Sequence, residues 1–207
     1  MSENTSAAGG FIHPSPVPGQ EAIEDVLHDC IAGVTRLCGN LVRPRWQEEA
    51  PRVPKAGVSW CAFGITNYDP LNFPVAEHSG EGEGHDILTD HENLTVLISF
   101  YGPGPVDQAR QLRRSLHISQ NRKILRKNGL AFVKAGAIVP VPEQVALQWR
   151  ARVDITLTFQ LVTSQIYAAL NLKQMSGTLV SEQPQDGSRP GASAPFGCQA
   201  CSRACWR

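Results

Sequence analysis

A chain of 207 residues, 42% hydrophobic and 18% charged, is long enough for one ordinary hydrophobic core and short for two domains. Nineteen Lys and Arg balance nineteen Asp and Glu, which argues against a dedicated nucleic-acid-binding protein. The start has neither a basic segment nor an apolar run, and no stretch reaches the roughly 18 apolar residues of a membrane span. We therefore expect a soluble protein, made in the cytoplasm and without a membrane partner.

Composition divides the chain into three parts. Residues 1–18 are rich in Ser, Gly and Pro and lack periodicity, which predicts a flexible leader. Residues 19–172 carry regular helix and strand patterns, which predict the folded domain. Residues 173–207 are polar and rich in Gly and Pro, a composition typical of a disordered tail.

Three helices are predicted from apolar residues that recur at steps of three and four. The first covers residues 19–39, and the Pro-rich segment 43–57 that follows predicts a surface loop. The second begins after the GPGP sequence and covers 105–116, and the third covers 119–128 with Ser119 as its N-cap.

Apolar and polar residues alternate in four further stretches, which predicts four strands at 58–68, 93–102, 130–142 and 146–162. The last is the most regular, and we expect Trp149 to open its buried face. The predicted fold class is α+β, a small and mostly antiparallel sheet of about four strands with helices packed on one face.

An acidic segment, HSGEGEGHDILTDHE at 78–92, has five carboxylates, three His and no Lys or Arg. It falls between two predicted strands, so we expect a long mobile loop, either simply solvated or ordered by a partner. The candidate contact residues are Glu81, Glu83, Asp86, Asp90 and Glu92. A divalent metal site on His78, His85 and His91, serving a metal-dependent enzyme, is an alternative, although their spacing does not place them on one helical face.

Positive charge is concentrated elsewhere, in the predicted second and third helices. The candidate basic interface consists of Arg110, Arg113, Arg114, Arg122, Lys123, Arg126 and Lys127. Separate acidic and basic surfaces on one subunit suit a head-to-tail contact between identical subunits. A solvated helix face and contacts to DNA phosphates are the alternatives.

No catalytic motif is present: the sequence lacks a GxSxG elbow, a P-loop and an HExxH helix. The CQACSRAC sequence contains Cys198, Cys201 and Cys205, and its CxxC step occurs in zinc knuckles and redox pairs. No fourth ligand lies near these thiols in the sequence. We predict a protein that is not an enzyme and binds no cofactor.

Three stretches together resemble the tail terminator, or neck terminator, proteins of long-tailed bacteriophages. They are RPRWQEEAPRVPKAGVSWCAFGI, LTVLISFYGPGPVDQARQL and LQWRARVDITLTFQL, within about residues 20–172. The likeness rests on Arg43 and Pro44 before the first strand, on Tyr101 and Gly102 at a strand-to-helix junction, and on the start of the last strand. The last of these features comprises Trp149, Arg152 and Asp154.

This resemblance implies a structural role in virion assembly. Such proteins form rings, generally hexamers, that cap the head-proximal end of the tail tube, end its polymerisation and offer a surface for head joining. The implied partners are further copies of the chain, the tail tube protein and the head–tail connector, with DNA only as passing cargo. The implied location is the tail or neck of the virion, and another head–tail connector or tail-completion protein is the runner-up.

Overall fold

The computed structural model describes residues 4–47, 49, 52–55, 57–145 and 147–172. This part of the chain contains three helices, α1 (Gln20–Thr35), α2 (Pro105–Ser115) and α3 (Ser119–Lys127). The strands are β1 (Val42–Pro44), β2 (Trp60–Pro70), β3 (Val75–Ser79), β4 (His85–Tyr101), β5 (Leu130–Pro140), β6 (Glu143–Val145), β7 (Gln148–Arg150) and β8 (Arg152–Tyr167). The predicted α+β class is confirmed.

The main sheet has six strands, in the order β1-β2-β4-β8-β5, with β3 also paired to β4. All its pairs are antiparallel except β1 with β2. The four predicted strands correspond to β2, β4, β5 and β8, while β1 and β3 were not predicted. β6 and β7 form a separate two-stranded sheet.

One face of the main sheet forms the hydrophobic core. The row Phe63, Ile98 and Ile155 crosses three adjacent strands, and all three side chains are buried. Helix α2 covers this face with Ala109 and Leu112, which are completely buried. Burying a side chain of this size contributes about 1.5–3 kcal/mol, so these rows and the helices over them hold the layers together.

Two helix boundaries differ from the prediction. Helix α1 ends at Thr35, because Arg36 adopts a left-handed conformation with φ 60° and its N–H closes the helix on Ala32 O. Helix α3 does begin at Ser119, but its N-cap is Ile118 and no side chain caps it, so the predicted Ser119 cap was wrong.

The predicted surface loop at 43–57 begins with a strand. The segment is not wholly a loop, because Val42–Pro44 pairs in parallel with β2 and Val42 is buried.

The last predicted strand, at 146–162, is broken before it reaches β8. Leu147 has a positive φ of 64°, and the following Gln148–Arg150 pairs with β6 instead. Trp149 is consequently 72% exposed and does not open the buried face.

The acidic segment is a β-hairpin, so the prediction of a long loop was wrong. β3 pairs with the first part of β4, from Val75 opposite Thr89 to Ser79 opposite His85. The glycines at 80, 82 and 84 supply the turn, and Gly82 and Gly84 have positive φ values of 64° and 95°. We call β3, the turn 80–84 and residues 85–92 of β4 the acidic arm.

The described part of the leader contacts the end of β8. The Ser15 N–H donates to Ile166 O at 2.8 Å, and the Ser6 N–H donates to Ala168 O at 3.0 Å. Flexibility of residues 1–18 stays a prediction. The predicted tail at 173–207, with Cys198, Cys201 and Cys205, lies outside the described residues.

Candidate functional site

The acidic arm exposes carboxylates without local cations. Glu81 and Glu83 in the turn and Glu77 on β3 are exposed, whereas the predicted contact residues Asp86, Asp90 and Glu92 are half-buried on β4. The sequence between positions 55 and 110 contains no Lys or Arg. The arm therefore presents a negative potential that no neighbour in the sequence neutralises.

The turn of the arm is fastened by His78 and Asn171. The two ring nitrogens of His78 lie 2.7 Å from Asp86 Oδ1 and 2.9 Å from Asn171 Oδ1. The Asn171 backbone N–H donates to Glu83 O at 2.7 Å, and its side-chain amide donates to Gly80 O at 3.1 Å. The hydrogen bonds to Asp86 and Asn171 raise the pKa of His78. The arm is thus an ordered hairpin rather than a free loop.

The three histidines of the arm do not converge. His78 lies opposite Asp86, while His85 and His91 occupy odd positions of β4 and point to the other face of the sheet. Among the described residues, no group of three or more His, Cys, Asp or Glu side chains is placed to hold a metal ion. The alternative metal site on these histidines is not formed in this hairpin.

The seven cations of the predicted basic interface lie on α2 and α3. Five of its cations are exposed: Arg110, Arg114, Lys123, Arg126 and Lys127. Arg113 and Arg122 are partly buried, and the Arg122 guanidinium lies 5.7 Å from the centre of the Phe132 ring. That cation–π contact gives Arg122 a packing role of its own. We call this set of seven the helical basic surface.

A third surface, which the sequence analysis missed, lies on the sheet face opposite the helices. Trp60, Tyr101 and Arg152 form a row across β2, β4 and β8. The Trp60 and Tyr101 rings stack with centres 4.2 Å apart. The Arg43 guanidinium lies 5.9 Å from the Trp60 ring centre, and that of Arg152 lies 5.7 Å from the Tyr101 ring centre. The row is a stacked aromatic pair with a guanidinium at each end.

A half-buried charge network fixes this row. Asp154 accepts hydrogen bonds from Arg152 Nε at 2.9 Å and Nη2 at 2.8 Å, and another from the completely buried Ser99. Ser99 in turn accepts one from Arg45, and Arg152 also pairs with Glu143 at 3.6 Å. Burial alone would raise the pKa of Asp154, but the hydrogen bonds from Arg152 and Ser99 outweigh it and lower that pKa. The network joins β4, β8, β6 and the segment after β1.

Two exposed tryptophans flank the row. Trp46 follows Arg45 with a φ of 53° and lies against Gly64, where an added Cβ would come within 2.6 Å of the ring. Trp149 is on β7 and borders a cavity of about 270 Å³. We call the surface around this row the aromatic–arginine face: Arg43, Trp46, Lys55, Trp60, Tyr101, Trp149, Arg150 and Arg152. The one sequence signal for it was the alternation of Arg150, Arg152 and Asp154 opposite the apolar set.

The described part of the chain is thus an α+β domain with an acidic arm, a helical basic surface and an aromatic–arginine face. Trp, Tyr and Arg are the residues most enriched at binding hot spots, and here they lie together on an open sheet face. No helix of the described residues is long and apolar enough to cross a membrane.

The chain belongs to the phage neck terminator family: a family model described as phage neck terminator protein matches residues 21–183. This is a family of structural proteins of the phage neck, as the resemblance implied. No curated protein matches the chain.

Proposed function

We propose that the protein forms a homohexameric ring that caps the head-proximal end of a phage tail tube. The ring ends tube polymerisation and provides the surface to which the head connector joins. Membership of the neck terminator family supports this role. The main observation in favour of a ring is that acidic and basic residues lie in separate segments of a chain whose formal net charge is zero.

Segregated charge favours a head-to-tail contact over a symmetric dimer. A two-fold contact pairs opposite charges only when both surfaces lie within one interface, and a contact through either surface alone would set like charges against each other. A head-to-tail contact instead places the acidic arm of one subunit against a cationic surface of the next. Repeated around an axis, that contact closes into a ring. Acidic residues facing the channel would also keep the passing DNA from binding.

Two cationic surfaces are available to receive the arm. The first is the helical basic surface, and the second is the aromatic–arginine face on the opposite side of the sheet. Since one acceptor is enough to close the ring, the other is free for the tail tube protein or the head connector. The tail tube protein and the head connector are thus both proposed as partners of the ring.

Light scattering of the purified full chain during gel filtration tests the ring. We expect a mass near six subunits that falls at low protein concentration and at high salt, because charge pairs are screened by ions. A second assay adds the protein to polymerising tail tube protein and measures tube length by electron microscopy. We expect shorter tubes with a ring at one end.

A chain that is monomeric over a hundredfold concentration range, and that leaves tube length unchanged, would overturn the proposal. An oligomer of another size that binds the head connector but not the tube would favour a connector or tail-completion protein instead.

A further inference from the structure

We infer that the aromatic–arginine face, rather than the helical basic surface, receives the acidic arm of a second copy of this chain. In this contact Glu81 or Glu83 occupies the cavity beside Trp149. The inference rests on the proposed ring and names the surfaces that close it.

The cavity has the chemistry of a glutamate site. Its volume is about 270 Å³, and its walls include the rings of Trp60, Tyr101 and Trp149. Lys55 and Arg150 also line it. A glutamate side chain would pack its methylene groups on the rings and pair its carboxylate with these cations.

The cations of the cavity are available for a partner. Arg152 and Arg45 are already engaged by the network around Asp154. By contrast, no carboxylate of the described residues pairs with Lys55 or Arg150. A carboxylate from another subunit would form ion pairs with these two cations.

The arm cannot reach the cavity of its own subunit. The turn of the arm adjoins His85 at the start of β4, while the cavity adjoins Tyr101 at its end. A strand of 17 residues spans roughly 50 Å at about 3.3 Å per residue. Complementary surfaces at the two ends of one strand must therefore meet between copies of the chain, and in the proposed ring that contact runs head to tail.

Energetics favour this face over the helical basic surface. Pairs between fully exposed charges contribute only about 0–1 kcal/mol, because water and salt screen them. A carboxylate seated among aromatic rings is shielded from water, and the Trp60–Tyr101 pair is already stacked within the subunit. The exposed cations of α2 and α3 offer charge without such an aromatic cavity.

Three double charge reversals of the full chain test the inference. The arm variant is Glu81→Lys with Glu83→Lys, and the face variant is Lys55→Glu with Arg150→Glu. The matched control, Arg126→Glu with Lys127→Glu, reverses two cations of the helical basic surface. All six side chains are exposed or half-buried, so circular dichroism should report an unchanged fold.

We expect the arm variant and the face variant each to raise the protein concentration needed for ring formation by at least tenfold. Their 1:1 mixture should restore the ring, because alternating subunits then pair the reversed arm of one variant with the reversed face of the other, and the normal arm with the normal face. The control variant should form the ring alone and should not rescue the arm variant.

The inference is overturned if the face variant assembles normally, or if the arm variant is rescued by the control variant. Either result would leave the ring intact and identify a different acceptor. A wild-type chain that is monomeric throughout would instead overturn the proposed ring, and this inference with it.

Discussion

Replacing Asp154 by Asn measures how strongly the charge network stabilises the sheet. The Asp154 side chain is 17% exposed and accepts two hydrogen bonds from Arg152 and one from Ser99. Hydrogen bonds to charged groups contribute about 1.5–3 kcal/mol each, and an amide can keep part of this set as weaker neutral bonds. We expect a loss of about 2–3 kcal/mol in the free energy of unfolding. For a domain of this size that corresponds to a fall in Tm of about 5–10 °C.

Urea unfolding followed by circular dichroism provides the assay. The matched control is Asp107→Asn, since Asp107 is 83% exposed and pairs with Arg110 at only 3.5 Å. We expect the control to change stability by less than about 0.5 kcal/mol. An Asp154→Asn variant as stable as this control would refute the network as a stabilising element.

The same comparison has a defined pH dependence. The folded pKa of Asp154 is lowered from its ordinary value of 3.8. Its contribution is therefore fully present above pH 3.8 and is lost as the pH falls through the folded pKa. The stability difference between wild type and Asp154→Asn should be constant from neutral pH to about 5 and should narrow below 3.8. A difference that widened there would contradict the assigned direction.

Two further predictions concern the arm and the strand-to-helix junction. The hydrogen bonds to Asp86 and Asn171 raise the pKa of His78 from 6.5. The stability that they contribute to the arm is therefore fully present below pH 6.5 and is lost as the pH rises through the raised pKa. In an NMR titration His78 should titrate above 6.5 in the wild type and closer to 6.5 in Asp86→Asn, and equal values would refute the assigned hydrogen bond to Asp86. Gly102→Ala should cost about 2–4 kcal/mol, because φ is +89° and the new Cβ would lie 2.4 Å from Val58 O. Gly33→Ala, inside α1 with open space around it, is the control and should stabilise by up to about 1 kcal/mol.

The sequence predicted the elements whose residues alternate against a single core. Every second residue is apolar in β4 from Leu94 to Phe100 and in β8 from Val153 to Leu161, and the partners of Val96, Ile98 and Phe100 on β8 are all buried. The inner side of α2 was predicted for the same reason, since Ala109, Leu112 and Leu116 are completely buried. An element that buries only one face has apolar residues at regular spacing, and this spacing predicts the element even when the strand or helix that it packs against is unknown.

Elements without a one-sided core were missed. β3 is exposed along most of its length, so its residues carry no alternation, and its pairing depends on β4 and on the Gly turn. β1 has three residues and ends at Pro44, too short for a period to show. Residues 85–92 of β4 are half-buried throughout, which hides the strand pattern in an acidic composition. Such segments are specified by their neighbours in space, which a single sequence does not reveal.

The aromatic–arginine face was missed because its parts are far apart in the chain. Arg45 and Ser99 are 54 positions apart, and Ser99 and Asp154 are 55 apart. The parts meet only because β2, β4 and β8 are adjacent in the sheet. The prediction that Trp149 opens the buried face was wrong because its alternation with Arg150 continues the pattern of β8, although the strand is broken between them and β8.

The hairpin conformation of the acidic segment changes what kind of contact it can make. A mobile loop would lose conformational entropy at every ordered residue on binding, about 1–2 kcal/mol each for the backbone. The arm has already lost that freedom in folding, because β3 pairs with β4 and Asn171 holds the turn. Charge pairs that are weak when made by flexible groups can then add up, since few degrees of freedom remain to be ordered. In the proposed ring, an ordered arm at one end of β4 and an ordered face at the other would also fix the angle between successive subunits, and that angle decides whether a head-to-tail chain closes.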